Sequence, residues 1–196
     1  ARIVSAGHGS QILLSAATAE LVRDVLPEGV TLQSLGSHRL RDLARAEDIY
    51  QVVAFGLPSS FPALRTLDSY PNNLPLYRSA LIGRESELAE ILSLAQKNRV
   101  LTLVGPGGIG KTRLSVHAAA DLLDRFSDGV WFVDLSSVMR EESVVTELAS
   151  TLGFRDVDEA EIQDVILEHL VDREMLIVLD NCEQVIDRVA KIAHTI

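Results

Sequence analysis

The sequence predicts an α/β fold, a parallel sheet with flanking helices in the C-terminal part, preceded by a smaller α+β piece. Three observations carry that expectation. From residue 85 onward, short apolar β-favouring runs alternate with amphipathic helical ones. A glycine-rich segment, GPGGIGKT at 105–112, joins one such run to the next helix. Four of the six prolines, Pro58, Pro62, Pro71 and Pro75, crowd one stretch that separates two halves of unlike pattern.

In the first half, QILLS reads as a short strand. Ser15 then caps a helix whose apolar residues are Ala16, Leu21, Val22 and Val25, and Pro27-Glu28-Gly29 ends it. TLQSLGSHRLRDL alternates loosely, and EDIYQVVAF carries Ile49, Tyr50, Val52 and Val53, so two further strands paired with each other are expected. Residues 55–80 read as a Pro-rich linker between a segment 1–54 and a segment 81–196. Leu64, Leu67, Tyr70 and Leu76 interrupt it, so it is expected to lie along a neighbouring surface rather than swing as a Gly/Ser coil would.

In the second half, Leu88, Ile91, Leu92 and Ala95 follow an i, i+3, i+4, i+7 stripe, which predicts a helix over 85–97 after the Gly83 turn. Val100 to Val104 is apolar apart from Thr102, the pattern of a strand covered on both faces. Leu114, Ala118, Leu122 and Phe126 space out a helix, Asp128-Gly129 turns the chain, and VWFVDL gives a second buried strand with Trp131 in the core; together these make a βαβ unit. Two helices follow, one around Val144, Val145, Leu148 and Leu152, the other opened by Asp158 as N-cap with Glu161 at the capping-box position. Met175 to Leu179 is a third apolar strand, and Val185, Ile186, Val189 and Ala190 mark a last helix.

Composition fits a soluble globular chain: 196 residues, 47 % hydrophobic and 23 % charged. No apolar stretch reaches the ~18 to 20 residues of a membrane span, and ARIVSAGHGSQ has no signal-peptide pattern, so a cytoplasmic location and no membrane partner are expected. The single cysteine, Cys182, rules out an internal disulfide and a Cys-based zinc site, and reads as a small buried hydrophobe rather than a modification site. His8, His38, His117, His169 and His194 include no i, i+4 pair with a carboxylate between. The net charge of −10 lies in residues 81–196, which hold 11 basic and 21 acidic side chains, and the acidic run from Asp156 to Glu174 would repel a phosphate backbone. Direct nucleic-acid binding by this segment is therefore not expected.

Gly105-Pro106-Gly107-Gly108-Ile109-Gly110-Lys111-Thr112 is a complete GxxxxGK[ST] match set between a strand and a helix, the context such a phosphate-binding loop requires. Gly105, Gly107, Gly108 and Gly110 let the backbone curl so that its N–H groups point at phosphate oxygens. The helix start adds its positive dipole end, Lys111 reaches the β- and γ-phosphates, and Thr112 can ligate Mg2+. Asp180, directly after the apolar run Met175 to Leu179, is placed as the Walker B acid that holds the Mg2+ shell. Asn181 cannot take a proton, which leaves Glu183 as the candidate base beside the catalytic Lys111 and Asp180.

The blocks LIGRESEL, LTLVGPGGIGKTRL, DGVWFVDL and LIVLDNCEQV resemble the ATPase core of bacterial STAND proteins, as in large LuxR-type regulators, over residues 81–196. That resemblance implies the N-terminal part of a STAND/NB-ARC-like P-loop ATPase domain, in which bound ATP or ADP with Mg2+ sets an open or closed state relayed to effector domains and hydrolysis resets it. It also implies that Ile82, Gly83 and Arg84 lie by the adenine. In the family a sensor strand sits between the P-loop strand and the Walker B strand, and a winged-helix lid comes later still. The expected P-loop NTPase sheet is thus incomplete, with self-association through it as one consequence.

ARIVSAGHGSQILLSAAT, LGSHRLRDL and EDIYQVV resemble the C-terminal end of a class III nucleotidyl cyclase catalytic domain, over residues 1–54. Arg2 matches the arginine that steadies charge on the transferring phosphate, while the family's asparagine, metal-binding aspartates and base-selecting residues have no counterpart in 1–54. Cyclase activity is not expected from this chain. The reading is of a nucleotide-binding switch, at most a slow ATPase, within a larger bacterial signalling or transcription-regulatory protein. The alternatives are a part of a parent that makes cyclic AMP and a truncated module acting through interactions alone.

Overall fold

The two kinds of apolar pattern fold into two separate sheets in the computed structural model, which describes residues 2–40, 45–77, 81–154, 157–158 and 161–195. The chain divides into two units, one of Ala1–Tyr70 with Leu76–Ala80 and one of Pro71–Pro75 with Leu81–Ile196.

The first unit begins with a five-residue helix, α1 (Arg2–Ala6), too short to leave a periodic signal in the sequence. It continues through β1 (Leu13–Ser15), α2 (Ala16–Val22), β2 (Val30–His38) and β3 (Glu47–Ala54). Ser15 caps α2 as its position predicts, its Oγ accepting from the Thr18 N–H at 3.2 Å. The strands form an antiparallel sheet of order β1-β3-β2, with Leu14 opposite Tyr50 and Leu32 opposite Val52. A bulge lies between Ser34 and Gly36, where Gly36 takes φ +92°. Ile49, Ala6, Leu40 and Leu64 make the core.

Residues 58–70 stay with this first unit: Leu64 and Leu67 are buried, Arg65 N–H bonds the Ala6 carbonyl at 2.9 Å, and Arg39 pairs with Asp68. Buried Gln51 is satisfied, accepting from Gln11 at 2.7 Å and donating to the Ser59 carbonyl at 2.9 Å.

The second unit runs α3 (Glu85–Ala95), α4 (Lys111–Asp121), β4 (Val130–Asp134), α5 (Ser143–Thr151), α6 (Ile162–Val171), β5 (Leu176–Asp180) and α7 (Ile186–Thr195). β4 and β5 pair in parallel, bringing Asp134 opposite Asp180 at their C-terminal ends. The crossover between them carries α5 and α6, whose apolar faces close on the sheet in the main core of Val133, Leu135, Val144, Leu148, Ile166 and Val185. Trp131 is only half-buried, its indole N–H bonding the Asp128 carbonyl at 3.2 Å.

Residues 71–73 run beside the other edge of β4. Asn72 bridges Val130, and the Asn73 amide both accepts from the Phe132 N–H at 2.6 Å and donates to its carbonyl at 2.8 Å. Gly129, at φ +97°, admits this approach: a Cβ there would stand 2.3 Å from the Pro71 carbonyl oxygen. The segments that enter β4 and β5 are tied by Asp128, which takes Arg173 Nη1 at 2.6 Å and the Glu174 N–H at 2.9 Å; the Arg173 guanidinium first, then that N–H, hold its carboxyl below the usual range.

Three expectations are corrected. Residues 100–104 form no strand and are not covered: Val104 is 90 % exposed and Val100 55 %, with only Leu103 packed against α3 and α4. A strand exists by pairing, and among the described residues β4 has β5 on one edge and residues 71–73 on the other, while β5 is paired with β4 alone; residues 100–104 pair with neither. The parallel βαβ unit is accordingly the next one along the chain, β4 to β5. Lastly, α6 starts at Ile162, with Glu161 as its cap residue and no side-chain cap; Asp158 contributes its carbonyl instead, accepting from the N–H groups of Glu161 and Ile162.

Candidate functional site

The glycine-rich loop ends where α4 begins, and the turn between them depends on glycine backbone. Gly108 and Gly110 take φ +77° and +92°, a region closed to most side chains, and Lys111 and Thr112 form the first turn of the eleven-residue α4. The first N–H groups of that helix have no intrahelical partner, so they and the dipole make an electropositive end. Lys111 bends back over its own loop, donating from Nζ to the carbonyls of Gly105 at 2.9 Å and Pro106 at 3.2 Å. A compact ammonium held only by neutral carbonyls is ready to exchange them for an anion.

Thr112 and Asp180 meet across 68 residues of sequence: the Thr112 hydroxyl donates to Asp180 Oδ2 at 2.8 Å. One side chain comes from the first turn of α4, the other from the last residue of β5, and both are half-buried. A hydroxyl and a carboxylate oxygen are hard donors, the kind that suits Mg2+ sharing its shell with phosphate oxygens and water. Among the described residues no three His, Cys, Asp or Glu side chains gather, so a cation held here would draw its remaining ligands from those sources.

Arg84, just before α3, donates from Nη2 to the Ile109 carbonyl at 2.7 Å and from Nη1 to Glu87 at 3.1 Å, which ties the start of the unit to the glycine-rich loop. The Gly83 N–H bonds Glu85 at 3.2 Å, Gly83 takes φ +72°, and Ile82 is 85 % exposed. Glu183 opens a short 3-10 turn after β5 and is exposed. Cys182 is half-buried and donates weakly to the Leu179 carbonyl at 3.4 Å; burial first, then the charges of Glu183 and Asp180, push its thiol up, away from the reactive thiolate. A shallow cleft lined by Ser137, Met139, Arg140, Ser143 and Glu147 lies after β4 and includes no residue of the glycine-rich loop.

Asp134 is a polar partner that the sequence reading did not single out. It ends β4 as Asp180 ends β5, and its Oδ1 accepts from the Ser136 N–H and from Asn181 Nδ2, each at 2.9 Å. The Asn181 amide and then the Ser136 N–H hold the Asp134 carboxyl below the usual range. The available signal was the one used for Asp180, an acid directly after an apolar strand.

A family model described as the NB-ARC domain matches residues 84–193, a span that holds Arg84, the glycine-rich loop, Asp180 and Glu183. The chain is 30 % identical over 118 residues to the Uncharacterized protein Rv0894 of Mycobacterium tuberculosis, covering 60 % of this chain and 30 % of that protein. It is 37 % identical over 98 residues to the Putative HTH-type transcriptional regulator Rv0890c of the same species, covering 50 % of this chain and 11 % of the regulator. It is also 39 % identical over 90 residues to the Uncharacterized protein Mb0915c of Mycobacterium bovis, covering 45 % and 32 % of the two chains. The chain thus spans about a third or less of each of these relatives. No solved structure matches. No described helix is long and apolar enough to cross a membrane.

Proposed function

The chain belongs to the NB-ARC domain family, and from that premise we propose that its second unit binds ATP or ADP with Mg2+ as the nucleotide-dependent switch of a bacterial signalling or transcription-regulatory protein. The observation that carries this reading is the 2.8 Å bond between Thr112 and Asp180, which joins the helix behind a glycine-rich loop to the acid at the end of a neighbouring strand. In this reading the N–H groups of the loop and of the first turn of α4 receive the phosphates. Lys111 releases the Gly105 and Pro106 carbonyls and takes β- and γ-phosphate oxygens in their place, a charge-assisted exchange for neutral bonds. Thr112 and Asp180 hold Mg2+, which when bound neutralises charge on the phosphate oxygens. Ile82, Gly83 and Arg84 border the adenine, and Arg84 keeps the loop in place through Ile109.

Glu183 is the base assigned to any hydrolysis; its exposure on a turn beyond Asp180 suits a slow reaction that resets a switch rather than rapid turnover. Effector domains of a longer parent would read the bound state, and the regulator among the relatives favours transcription as the output. Residues 1–54 keep their cyclase resemblance as our account of the first unit, and the nucleotide reading rests on the second unit alone. A second reading, self-association, is favoured by the uncovered apolar residues Val100, Leu101 and Val104; light scattering that gives the mass of one chain at all concentrations removes it.

Thermal unfolding tests the first reading. A ligand at 100 times its dissociation constant stabilises the native state by ~2.7 kcal/mol, so ATP with Mg2+ is expected to raise Tm in the wild type and not in Lys111→Ala. An equal rise in both, or none in either, contradicts it.

A further inference from the structure

The turn that follows Asp180 is held in an uncommon conformation by hydrogen bonds from the exit of β4. Asn181 takes φ +57°, one of two non-glycine residues with positive φ among the described residues. The left-handed region costs asparagine less than most side chains, and the hydrogen bonds around it decide whether it is kept. Here the holding groups are all on the exit of β4. Asp134 Oδ1 accepts from Asn181 Nδ2 at 2.9 Å, the Leu135 N–H donates to the Asp180 carbonyl at 3.0 Å, and Gln184 Nε2 donates to the Leu135 carbonyl at 2.9 Å. Asp134 is itself fixed, since its Oδ1 also accepts from the Ser136 N–H. Of these contacts only the Asp134 bond reaches the side chain of the strained residue. It draws Asn181 toward β4 while the preceding carboxylate points to Thr112.

We infer that Asp134 is a positioning residue for the magnesium-nucleotide site: by accepting from Asn181 it locks the left-handed turn after Asp180 and so fixes the direction in which Asp180 presents its carboxylate beside Thr112. The inference rests on the proposed nucleotide reading and deepens it. Without the Asp134 acceptor, Asn181 relaxes toward extended backbone, the Asp180 carboxylate loses its fixed direction, and the Mg2+-dependent part of nucleotide affinity falls. The Mg2+-independent part, carried by Lys111 and the loop, does not.

The experiment measures ATP affinity of the 196-residue chain by calorimetric titration, with Mg2+ and with EDTA, and takes the ratio. Asp134→Ala is expected to lower that ratio about tenfold, the equivalent of about 1.4 kcal/mol, with the EDTA affinity unchanged. Asp134→Asn, whose amide oxygen can still accept from Asn181 and Ser136, keeps the ratio within about twofold. Asn181→Gly removes the backbone strain, so in that background Asp134→Ala has no further effect on the ratio. A merely structural role for Asp134 predicts equal losses with Mg2+ and EDTA and no rescue by glycine, and either result overturns the inference, as does an unchanged ratio in Asp134→Ala. A wild type with no Lys111-dependent ATP binding under any condition overturns the nucleotide reading itself, and the role of Asp134 falls with it.

Discussion

Replacing Thr112 by valine keeps the branched outline of the side chain and removes the hydroxyl that joins α4 to β5. Bonds to charged groups contribute about 1.5–3 kcal/mol, but both partners are half-buried, so water can take over the Asp180 oxygen and the loss for the ligand-free chain is nearer 1 kcal/mol. For a chain of this size that is a fall of about 2–4 °C in Tm. The larger effect is on the ligand. ATP with Mg2+ at 100 times its dissociation constant contributes ~2.7 kcal/mol, or about 5–10 °C, in the wild type. In Thr112→Val the shift given by ATP with Mg2+ is expected to shrink to that given by ATP with EDTA, because Lys111 and the loop are intact and only the cation has lost a ligand. Scanning calorimetry of both chains in the two buffers reads all four quantities. A variant whose ligand-free Tm falls while the Mg2+-dependent shift stays at the wild-type value would mean that the Thr112–Asp180 bond is only a structural tie, and the metal role given to the pair would be refuted.

Gly129→Ala is expected to destabilise the second unit by about 2 kcal/mol or more, since the left-handed backbone alone costs a side chain about 1–2 kcal/mol and the new Cβ would collide with the Pro71 carbonyl; an unchanged urea midpoint would show that residues 71–73 do not pack beside β4. Leu148→Ala, in the main core, should cost about 2–5 kcal/mol, whereas Val104→Ala, at a residue 90 % exposed, should stay within about 0.5 kcal/mol of the wild type. Comparable losses in the two would mean that the 100–104 segment is buried in solution. Asp128 is held below its unfolded value near 3.9, so its contribution is present above about pH 4 and is lost as pH falls through the folded value. Asp128→Asn should therefore melt below the wild type at neutral pH and converge with it in acid; a gap that persists in acid would assign the effect to something other than that ionisation.

Where the pattern of a segment is decided by its own residues, the sequence was enough. β2 shows its loose alternation, β3 its β-branched and aromatic residues, α3, α5 and α7 their apolar stripes, and β4 and β5 their continuous apolar runs, and each forms close to the expected place. Ser15 caps α2 because a cap is a local hydrogen bond. The segment 100–104 has an equally apolar pattern and forms no strand, because a strand needs a neighbour that the pattern cannot name. The same distance limit hid residues 71–73. Asn73 reads as part of a linker, yet its amide grips Phe132 from 59 residues away, and the missing Cβ of Gly129 lets the adjoining Pro71 pass. In the candidate site, the turn into α4 and the place of Asp180 at the end of β5 were legible because a glycine-rich motif and an acid after an apolar run are each read from contiguous residues. Asp134 was not: its part depends on the φ of Asn181 and on the register that sets it opposite Asp180.

The location of the nucleotide is the central claim, and amide chemical shifts of the 15N-labelled chain with and without ATP and Mg2+ test it most directly. The shifts are expected to concentrate at Gly105 to Thr112 and at Asp180 and Asn181, and to be lost there in Lys111→Ala. A spectrum that does not respond in the glycine-rich loop, or that responds instead around Ser137 to Glu147, would contradict the account.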